Sequence, residues 1–258
     1  MAVLAIANQK GGVGKTTTSI NLAASLVATK KSVLLVDLDP QGNATMGSGI
    51  NKNELGASVY DVLMGDASIE DAIIQKTASG YDLLATNADL VAAEVGLLRM
   101  KHKEYQLCSA LDKVKERYKY IIIDCPPALN MLTVNGLVAS DGVIIPMQCE
   151  YFALEGLSDL MRTIDRIQES LNPHLEVEGI LRTMYDPRNG LTRDVSDQLM
   201  QHFPNKVYRT CIPRNVRLAE APSHGLAALH YDKSSRGAMA YLALVGEILR
   251  KKKVVAAT

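Results

Sequence analysis

The stretch that decides the fold reads QKGGVGKTT and occupies residues 9–17. An apolar run at residues 3–7 precedes it, and a helical pattern at residues 16–30 follows it. Three glycines between a strand and a helix permit a tight loop whose backbone amides point inward, and the helix adds its positive N-terminal end. This arrangement predicts a phosphate-binding loop in which Lys15 reaches the β- and γ-phosphates and the Thr16 hydroxyl ligates Mg²⁺.

The loop departs from the usual pattern GxxxxGK[ST], because Gln9 occupies the place of the first glycine and a lysine follows it. An ordinary glycine-rich turn that happens to contain GKT is the alternative interpretation. The strand before the loop, the helix after it and two acidic strand ends downstream favour phosphate binding. The residues expected to bind a nucleotide here are Lys10, Gly11, Gly12, Val13, Gly14, Lys15, Thr16 and Thr17.

Two further apolar runs end in aspartates. LLVDLDPQGN at residues 34–43 places Asp37 at a predicted strand tip and Asp39 two residues later, and YIIIDCPP at residues 120–127 ends a strand at Asp124. Side chains alternate along an extended chain, so the first two carboxylates point to the same side. One can serve the Mg²⁺ shell while the other orients the attacking water, and Asp124 is expected in the outer Mg²⁺ shell. For residues 37–43 the structural alternative is a simple polar turn. For Asp124 it is an N-cap of the helix that follows.

Short apolar runs alternate with longer amphipathic segments along the chain. Predicted strands occupy residues 3–7, 32–36, 81–85, 120–123, 142–146, 177–184 and 207–212. Predicted helices occupy residues 16–30, 90–100, 105–118, 129–139, 153–171, 192–203 and 235–251. This alternation predicts an α/β fold with a doubly wound, mostly parallel sheet flanked by helices, whose ligands bind beyond the carboxyl ends of the strands. The sequence shows no linker, so a single domain over residues 1–258 is expected.

The composition excludes several classes of protein. Hydrophobic residues make up 47% and charged residues 22% of the sequence, which is typical of a globular chain rather than a disordered one. The four cysteines form no CxxC pair, so neither a disulfide framework nor a zinc site is expected. No run of 18 apolar residues occurs, and the apolar start of the chain lacks the basic leader of a signal peptide.

The charges are balanced overall but unevenly distributed. Lysine and arginine together number 28, as do aspartate and glutamate, so the formal net charge is zero. Residues 1–178 have an excess of acidic side chains, and residues 179–258 have an excess of basic ones. Such a distribution suits a protein with one face directed at a polyanion, and a scatter of solvated charges is the alternative.

Together these motifs resemble the ParA/Soj chromosome- and plasmid-partition ATPases, in which KGGVGKTT is the deviant Walker A signature. The resemblance implies that Lys10 reaches across an ATP-bound dimer to the phosphates of the second subunit. It also implies that Asp39 activates water and that Asp37 has a metal-shell or switch role. The matching segments lie at residues 6–24, 34–45, 120–137, 150–157 and 212–225.

The resemblance extends to the nucleotide base and to the reaction cycle. Pro213 and Asn215 are at positions that contact adenine, and Glu150 is at a position that touches the ribose bound by the second subunit; ordinary packing is the alternative for all three. In the implied cycle, ATP and Mg²⁺ drive homodimerisation, and the dimer binds double-stranded DNA without sequence preference. A ParB-like centromere-binding partner then stimulates hydrolysis. A bacterial cytoplasmic protein associated with the nucleoid is expected.

Contacts to DNA would be made by lysines and arginines that bind phosphates, so binding should weaken steeply with salt. Arg188 and Arg217 match basic positions implicated in DNA binding in the resembled family. A solvated or ion-paired side chain is the alternative for any single residue. The candidates are Arg188, Arg214, Arg217, Lys233, Arg236 and the tail at residues 250–253.

Other members of the same superfamily differ at recognisable places. The first predicted strand begins at residue 3, so we do not expect the operator-binding helix-turn-helix domain of larger plasmid proteins. The segment LRKKKVVAAT at residues 249–258 is basic with little apolar face, so a stable membrane anchor like that of MinD-type cell-division ATPases is not expected. Cys125 and Cys149 lack the glycine-rich context of iron–sulfur ligands in relatives of the nitrogenase iron protein. Two alternative functions remain: a positioning ATPase for a cargo other than DNA, and a MinD-like membrane-associated cell-division ATPase.

Overall fold

A computed structural model describes residues 1–255, with side chains described through residue 251. Eight strands form one sheet in the order β3-β4-β2-β5-β1-β6-β7-β8. All neighbours pair in parallel except β3 and β4, which are antiparallel. The strands are β1 (Ala2–Ile6), β2 (Val33–Asp37), β3 (Ile73–Ile74), β4 (Asp82–Leu84), β5 (Tyr120–Asp124), β6 (Gly142–Gln148), β7 (Glu176–Tyr185) and β8 (Val207–Pro213).

Helices connect the strands and cover both faces of the sheet. They are α1 (Lys15–Ala28), α2 (Asn43–Gly47), α3 (Val59–Met64), α4 (Ile69–Ala72), α5 (Leu90–Leu98), α6 (Gln106–Asp112), α7 (Met131–Val138), α8 (Ala153–Ser170), α9 (Gly190–His202), α10 (Val216–Glu220), α11 (Ala228–Tyr231) and α12 (Arg236–Val255). None of the helices described within residues 1–255 is long and apolar enough to span a bilayer.

The predicted doubly wound, mostly parallel sheet is confirmed. Each of the seven predicted strands is present, with bounds shifted by one or two residues. The antiparallel edge strand β3 was not predicted, because two residues are too few to show a period. The helix predicted at residues 105–118 is wrong in its second half, where α6 ends at Asp112 and a separate 3₁₀ turn spans Lys115–Arg117. The short helices α2, α3, α4, α10 and α11 were also missed.

Two apolar layers account for the continuous apolar runs of the strands. In β1, Val3 and Ala5 face a layer formed with α3 to α9, whereas Leu4 and Ile6 face a layer formed with α1, α2 and α10 to α12. A strand buried on both faces cannot show the alternation of a half-solvated strand. The sheet is therefore the interior of the molecule, and polar side chains can collect only at its edges.

The parallel register brings the sequence motifs to one edge of the sheet. In the pairing of β2 with β5, Asp37 lies opposite Asp124, and in the pairing of β1 with β5, Ile6 lies opposite Asp124. The loop at residues 7–14 leaves β1 at the same edge. The two acidic strand ends and the glycine-rich loop therefore meet at the carboxyl ends of neighbouring central strands, as expected for this fold class.

The pairing of β7 with β8 is irregular and depends on a buried arginine. The register shifts on both sides of Arg182. The Arg182 guanidinium donates hydrogen bonds to the carbonyl oxygens of Tyr208 at 2.9 Å and Arg209 at 3.3 Å, and to Ser196 Oγ at 2.7 Å. These donors satisfy carbonyl groups that a regular ladder would have paired. Nearby, Gly179 leaves room for the fully buried ring of Tyr208.

Replacing Gly179 by alanine should destabilise the protein. A Cβ at this position would lie 2.4 Å from Cε2 of Tyr208, whose ring is fully buried. We expect Gly179→Ala to lower the free energy of unfolding by about 1–3 kcal/mol, the usual cost of overpacking. Urea denaturation followed by circular dichroism measures this change.

Gly156→Ala is the matched control. Gly156 lies inside α8, and a Cβ there meets no heavy atom within 4 Å. Its replacement should raise the free energy of unfolding by up to about 1 kcal/mol, because alanine favours a helix more than glycine does. Equal effects of the two substitutions would contradict the packing described at Tyr208.

Candidate functional site

The glycine-rich loop presents an open, concave backbone between β1 and α1. Gly12 and Gly14 have φ angles of 74° and 87°, a left-handed conformation that other residues rarely adopt. A Cβ added at Gly11 or Gly12 would meet no atom of the described residues within 4 Å, so both glycines border open space. The loop can therefore receive a ligand against its backbone.

Three side-chain hydrogen bonds hold this loop in place. Asn8 Nδ2 donates to the Pro146 carbonyl at 2.8 Å, and Asn8 Oδ1 accepts from the Lys10 amide at 3.0 Å. On the other side, Thr183 Oγ1 donates to the Val13 carbonyl at 2.8 Å. The sequence analysis did not identify Asn8 or Thr183, and Thr183 is 170 residues from its partner. No local pattern could have connected them.

Lys15 is buried beneath the loop. Its ammonium donates to the Lys10 carbonyl at 3.0 Å, which folds the side chain back along the loop. Burial lowers the pKa of Lys15, and the negative charges of Asp124 and Asp39 oppose that change. The lysine thus lies among acidic groups at the phosphate end of the predicted site, with its positive charge directed toward the loop.

Asp124 anchors the start of α1 to the sheet. It accepts hydrogen bonds from Thr16 Oγ1 and from Ser19 Oγ, each at 2.8 Å. Complete burial raises the pKa of Asp124 to about 6, while the two hydroxyl donors act in the opposite direction. Ser19 was not identified from the sequence. Its position three residues after Thr16, on the same face of a helix, was an available signal.

Asp37 and Asp39 organise the segment that follows β2. Asp37 Oδ2 accepts from the Thr45 amide at 2.7 Å and from the Thr45 hydroxyl at 2.8 Å, and Asp37 Oδ1 accepts from the Asp39 amide at 3.2 Å. Asp39 Oδ1 in turn accepts from the Gln41 amide at 3.0 Å. These bonds tie the loop between β2 and α2 to the strand end. Thr45, like Ser19, was missed by the sequence analysis.

A cavity of about 280 Å³ lies on the other side of the loop and is called here the Asn215 cavity. Pro213 and Asn215, which the resemblance assigned to the nucleotide base, both line it, together with Gly14 and Thr17. Asn215 Oδ1 is buried and has no hydrogen-bond partner among the described residues. Buried acceptors in native proteins are almost always paired, and this oxygen lies against Gly237 of α12, so the Asn215 amide has to turn before it can meet a ligand in the cavity.

Lys10, the signature lysine, is held within the same chain. Its ammonium forms an ion pair with the Glu150 carboxylate at 2.5 Å, and the two side chains are 45% and 50% exposed. The family resemblance implies that both residues contact the nucleotide bound by a second subunit. In this structure they contact each other. Both lie at the solvent-facing side of the loop.

The candidate DNA contacts are exposed but partly neutralised by nearby acids. Asp186 binds Arg188 through two hydrogen bonds of 2.8 and 2.9 Å and also lies in the field of Arg214. Arg217 pairs with Glu220 at 2.7 Å and with Asp232 at 3.4 Å. Lys233 and Arg236 are exposed and follow Asp232 closely in the chain. In the predicted basic tail, Lys252 and Lys253 lie outside the described side chains.

The two cysteines considered as iron–sulfur ligands are buried. Cys125 is 1% exposed and Cys149 is 4% exposed, and both are free thiols. Burial raises the pKa of both thiols, that of Cys149 to about 11. A cluster ligand has to be a thiolate at an accessible position, so these environments do not suit a cluster shared between subunits.

Asp37→Asn should flatten the pH dependence of stability in Mg²⁺-free buffer. Burial, and then the neighbouring carboxylate of Asp124, raise the pKa of Asp37 from 3.8 to about 8. The folded state therefore keeps a proton that the unfolded chain releases, so stability falls as the pH rises through this window. From pH 5 to pH 8 the free energy of unfolding of the original protein should fall. The free energy of unfolding of Asp37→Asn should fall less over the same range, by a difference of more than about 1 kcal/mol. Urea denaturation at several pH values measures this difference. The same pH dependence of the unfolding free energy in both proteins would contradict the raised pKa of Asp37.

The comparisons with known proteins bear on the family of the chain. A family model described as an AAA domain matches residues 1–177. The chain is 52% identical to the sporulation initiation inhibitor protein Soj of Bacillus subtilis, over 95% of this chain and 97% of that protein. It is 49% identical to the chromosome partitioning protein ParA of Caulobacter vibrioides, over 98% and 96% of the two chains.

A solved structure shares the whole fold. It is the crystal structure of cobyrinic acid a,c-diamide synthase from Mycobacterium smegmatis with bound ADP and magnesium. It is 41% identical to this chain, covers 98% of this chain and 96% of its own, and has a TM-score of 0.86. The partition proteins match at higher identity over a similar share of the chain. On this evidence, the chain belongs to the ParA/Soj family of chromosome-partitioning P-loop ATPases.

Proposed function

We propose that the chain is a nucleotide-dependent partition switch and that residues 1–258 act as one ATPase domain. ATP binding with Mg²⁺ joins two copies, the dimer binds DNA without sequence preference, and hydrolysis releases it. The observation that carries this proposal is the loop, where the backbone at Gly11 and Gly12 borders open space above the buried ammonium of Lys15. Amide donors, a lysine and a helix N-terminus together suit a polyphosphate.

The Asn215 cavity suits the adenine base at the other end of the nucleotide. The exocyclic amino group of adenine is a donor that would pair with the Asn215 amide oxygen once that side chain turns toward the cavity, and Pro213 offers an apolar ring beside it. Gly14 and Thr17 line the same cavity, so a base held there is continuous with phosphates held at the loop. The residues present therefore support ATP as the ligand along its whole length.

The phosphate end of the site suits Mg²⁺. The Thr16 hydroxyl is an oxygen ligand of the kind that Mg²⁺ takes, and Asp124, bonded to that hydroxyl, would hold a water of the outer shell. When bound, Mg²⁺ neutralises charge on the phosphates. Asp37 is already occupied by Thr45 and the Asp39 amide, so its contacts favour the switch role over direct metal contact.

Asp39 is the residue we assign to orientation of the attacking water. Burial lowers the pKa of Lys15 and the negative charge of Asp39 opposes that change, so Asp39 lies near the Lys15 ammonium, at the phosphate end of the site. A carboxylate there can accept a hydrogen bond from water and direct it at the γ-phosphate. Because the Asp39 amide is bonded to Asp37 and Asp37 is bonded to Thr45, a change at the phosphate can pass to the loop before α2.

The second copy would be engaged through Lys10. In this structure Lys10 is paired with Glu150 at a half-exposed position. An exposed ion pair is worth little free energy, so Lys10 can exchange Glu150 for a phosphate bound by the second copy. The same position allows Glu150 to approach the ribose of that nucleotide once Lys10 has left.

The candidate DNA surface borders the Asn215 cavity. Arg214 and Arg217 flank Asn215 in the sequence, and Arg214 itself lines the cavity. Arg188 and Arg236 lie on neighbouring segments at residues 186–190 and at the start of α12. Occupation of the cavity by a base would order the segment that carries these arginines, which supports coupling between nucleotide and DNA. A ParB-like partner and action at the nucleoid in the bacterial cytoplasm are proposed from family membership.

DNA binding should require ATP and should be lost in Lys15→Ala and strongly weakened in Arg217→Glu. The first variant removes the buried cation of the nucleotide site, and the second reverses a charge on the candidate DNA surface. A mobility-shift assay with ATP, ADP and no nucleotide measures both effects on DNA of unrelated sequences. Arg217→Glu should also reduce the salt slope of binding by about 1 to 2 units.

Arg162→Glu is the matched control for the DNA variant. Arg162 is an exposed arginine of α8 that pairs with Asp159, much as Arg217 pairs with Glu220, but α8 packs on the opposite face of the sheet. Its replacement should leave DNA binding within about two-fold of the original value. Binding of equal strength with ADP and ATP would refute the switch.

Asp39→Ala should slow hydrolysis while preserving the ATP-bound dimer. Removal of the water-orienting carboxylate should lower the rate of phosphate release by about 100-fold or more. Light scattering should still detect the dimer with ATP and Mg²⁺, because Lys10, Lys15 and Thr16 are intact. Asp66→Ala, at an exposed position between α3 and α4, serves as the control and should hydrolyse ATP normally. An unchanged rate in Asp39→Ala would remove this residue from the reaction.

A further inference from the structure

Two aromatic side chains are exposed side by side at the start of α8. Tyr151 is 74% exposed and Phe152 is 69% exposed, and their rings form an edge-to-face pair with centroids 5.0 Å apart. We call them the aromatic pair. The whole sequence has only two phenylalanines, and the other one, Phe203, packs against the core. Exposure of this much aromatic surface at one place marks a contact surface.

The aromatic pair adjoins the solvent-facing side of the phosphate loop. It follows Glu150 directly in the chain, and the Glu150 carboxylate binds Lys10. Phe152 also lines a small hollow of about 20 Å³ with Asn8, Lys10 and Val13 of the loop. The aromatic pair, the loop and the ion pair therefore form one continuous patch.

The charges of this patch are self-complementary. Lys10 is positive, Glu150 is negative, and both are about half-exposed beside the aromatic rings. When two copies meet about a two-fold axis, the same patch faces itself, so Lys10 and Glu150 of each copy lie opposite the patch of the other. A patch with both signs of charge and an apolar centre matches a second copy of this chain.

We infer that the aromatic pair is buried by a second copy of the chain in the ATP-bound state. This inference rests on the proposed function, which supplies the dimer, and adds the apolar contact that holds it. Tyr151 and Phe152 would exclude water from the place where Lys10 meets the phosphates of the second copy. Electrostatic attraction is stronger where water is excluded, so the aromatic contact and the lysine contact would reinforce each other.

The sequence contains no tryptophan, which permits a direct test. In Phe152→Trp the new side chain is the only tryptophan, so its fluorescence reports on this surface alone. With ATP and Mg²⁺, its emission should shift to shorter wavelength, and acrylamide quenching should fall by about two-fold or more as the ring is buried. The change should be absent with ADP and should disappear on dilution, because it requires two copies.

Leu98→Trp is the matched control. Leu98 is 58% exposed at the end of α5, a helix that packs against α3 and α7. A tryptophan at this position should show equal quenching with and without ATP. If ATP lowers acrylamide quenching equally at residues 98 and 152, the change affects the protein as a whole, and the inference is overturned.

Substitution by serine tests the energetic contribution. The double variant Tyr151→Ser/Phe152→Ser should weaken the ATP-dependent dimer by about 10- to 100-fold, as loss of buried aromatic anchors does at other interfaces. Its affinity for ATP at monomeric concentrations should be unchanged, which also shows that it folds. Leu98→Ser should dimerise like the original protein.

The two proposals fail in different ways. If the original protein stays monomeric with ATP and Mg²⁺ in light scattering, the dimer step of the proposed function is wrong, and this inference falls with it. If the dimer forms while Phe152→Trp remains fully quenchable and the serine variant dimerises normally, only the aromatic contact is refuted.

Discussion

The hydrogen bonds from Thr16 and Ser19 to Asp124 are the constraint on which the rest of the site depends. They fasten the first turn of α1 to the end of the central strand β5, and the glycine-rich loop is the segment between that turn and β1. Because Asp124 is fully buried, these two hydroxyls are the donors that stabilise its carboxylate. Loss of this anchor would free the loop, the helix N-terminus and Lys15 together.

The site extends from this anchor in two directions. Toward β2, Asp37 binds Thr45 and thereby fixes the loop that carries Asp39. Toward β7 and β8, Thr183 holds the loop carbonyl of Val13, and the Asn215 cavity opens beside it. A ligand that spans both directions would contact the acidic strand ends and the base cavity at once. In the proposed function, the bound nucleotide would therefore link segments that are far apart in the sequence.

Several parts of the fold and site could be predicted because their signals are local. The loop, the strand ends at Asp37 and Asp124, and the alternation of strands with helices all appear within short stretches, and the parallel sheet that they predict is present. The missed elements had weak local signals. The strand β3 has two residues, and the helices α2, α4, α10 and α11 have four or five residues each, too few for a helical period to show.

By itself the sequence determined the position of the glycine-rich loop, the class of the fold and the family, because glycine conformations, buried strands and helix starts depend on neighbouring residues. Only the tertiary structure decided which distant groups meet. It paired Lys10 with Glu150, Thr183 with Val13 and Asp37 with Asp124, and it left Asn215 Oδ1 without a partner among the described residues. Contacts between residues more than 80 positions apart follow from sheet order and register, which no short stretch of sequence encodes.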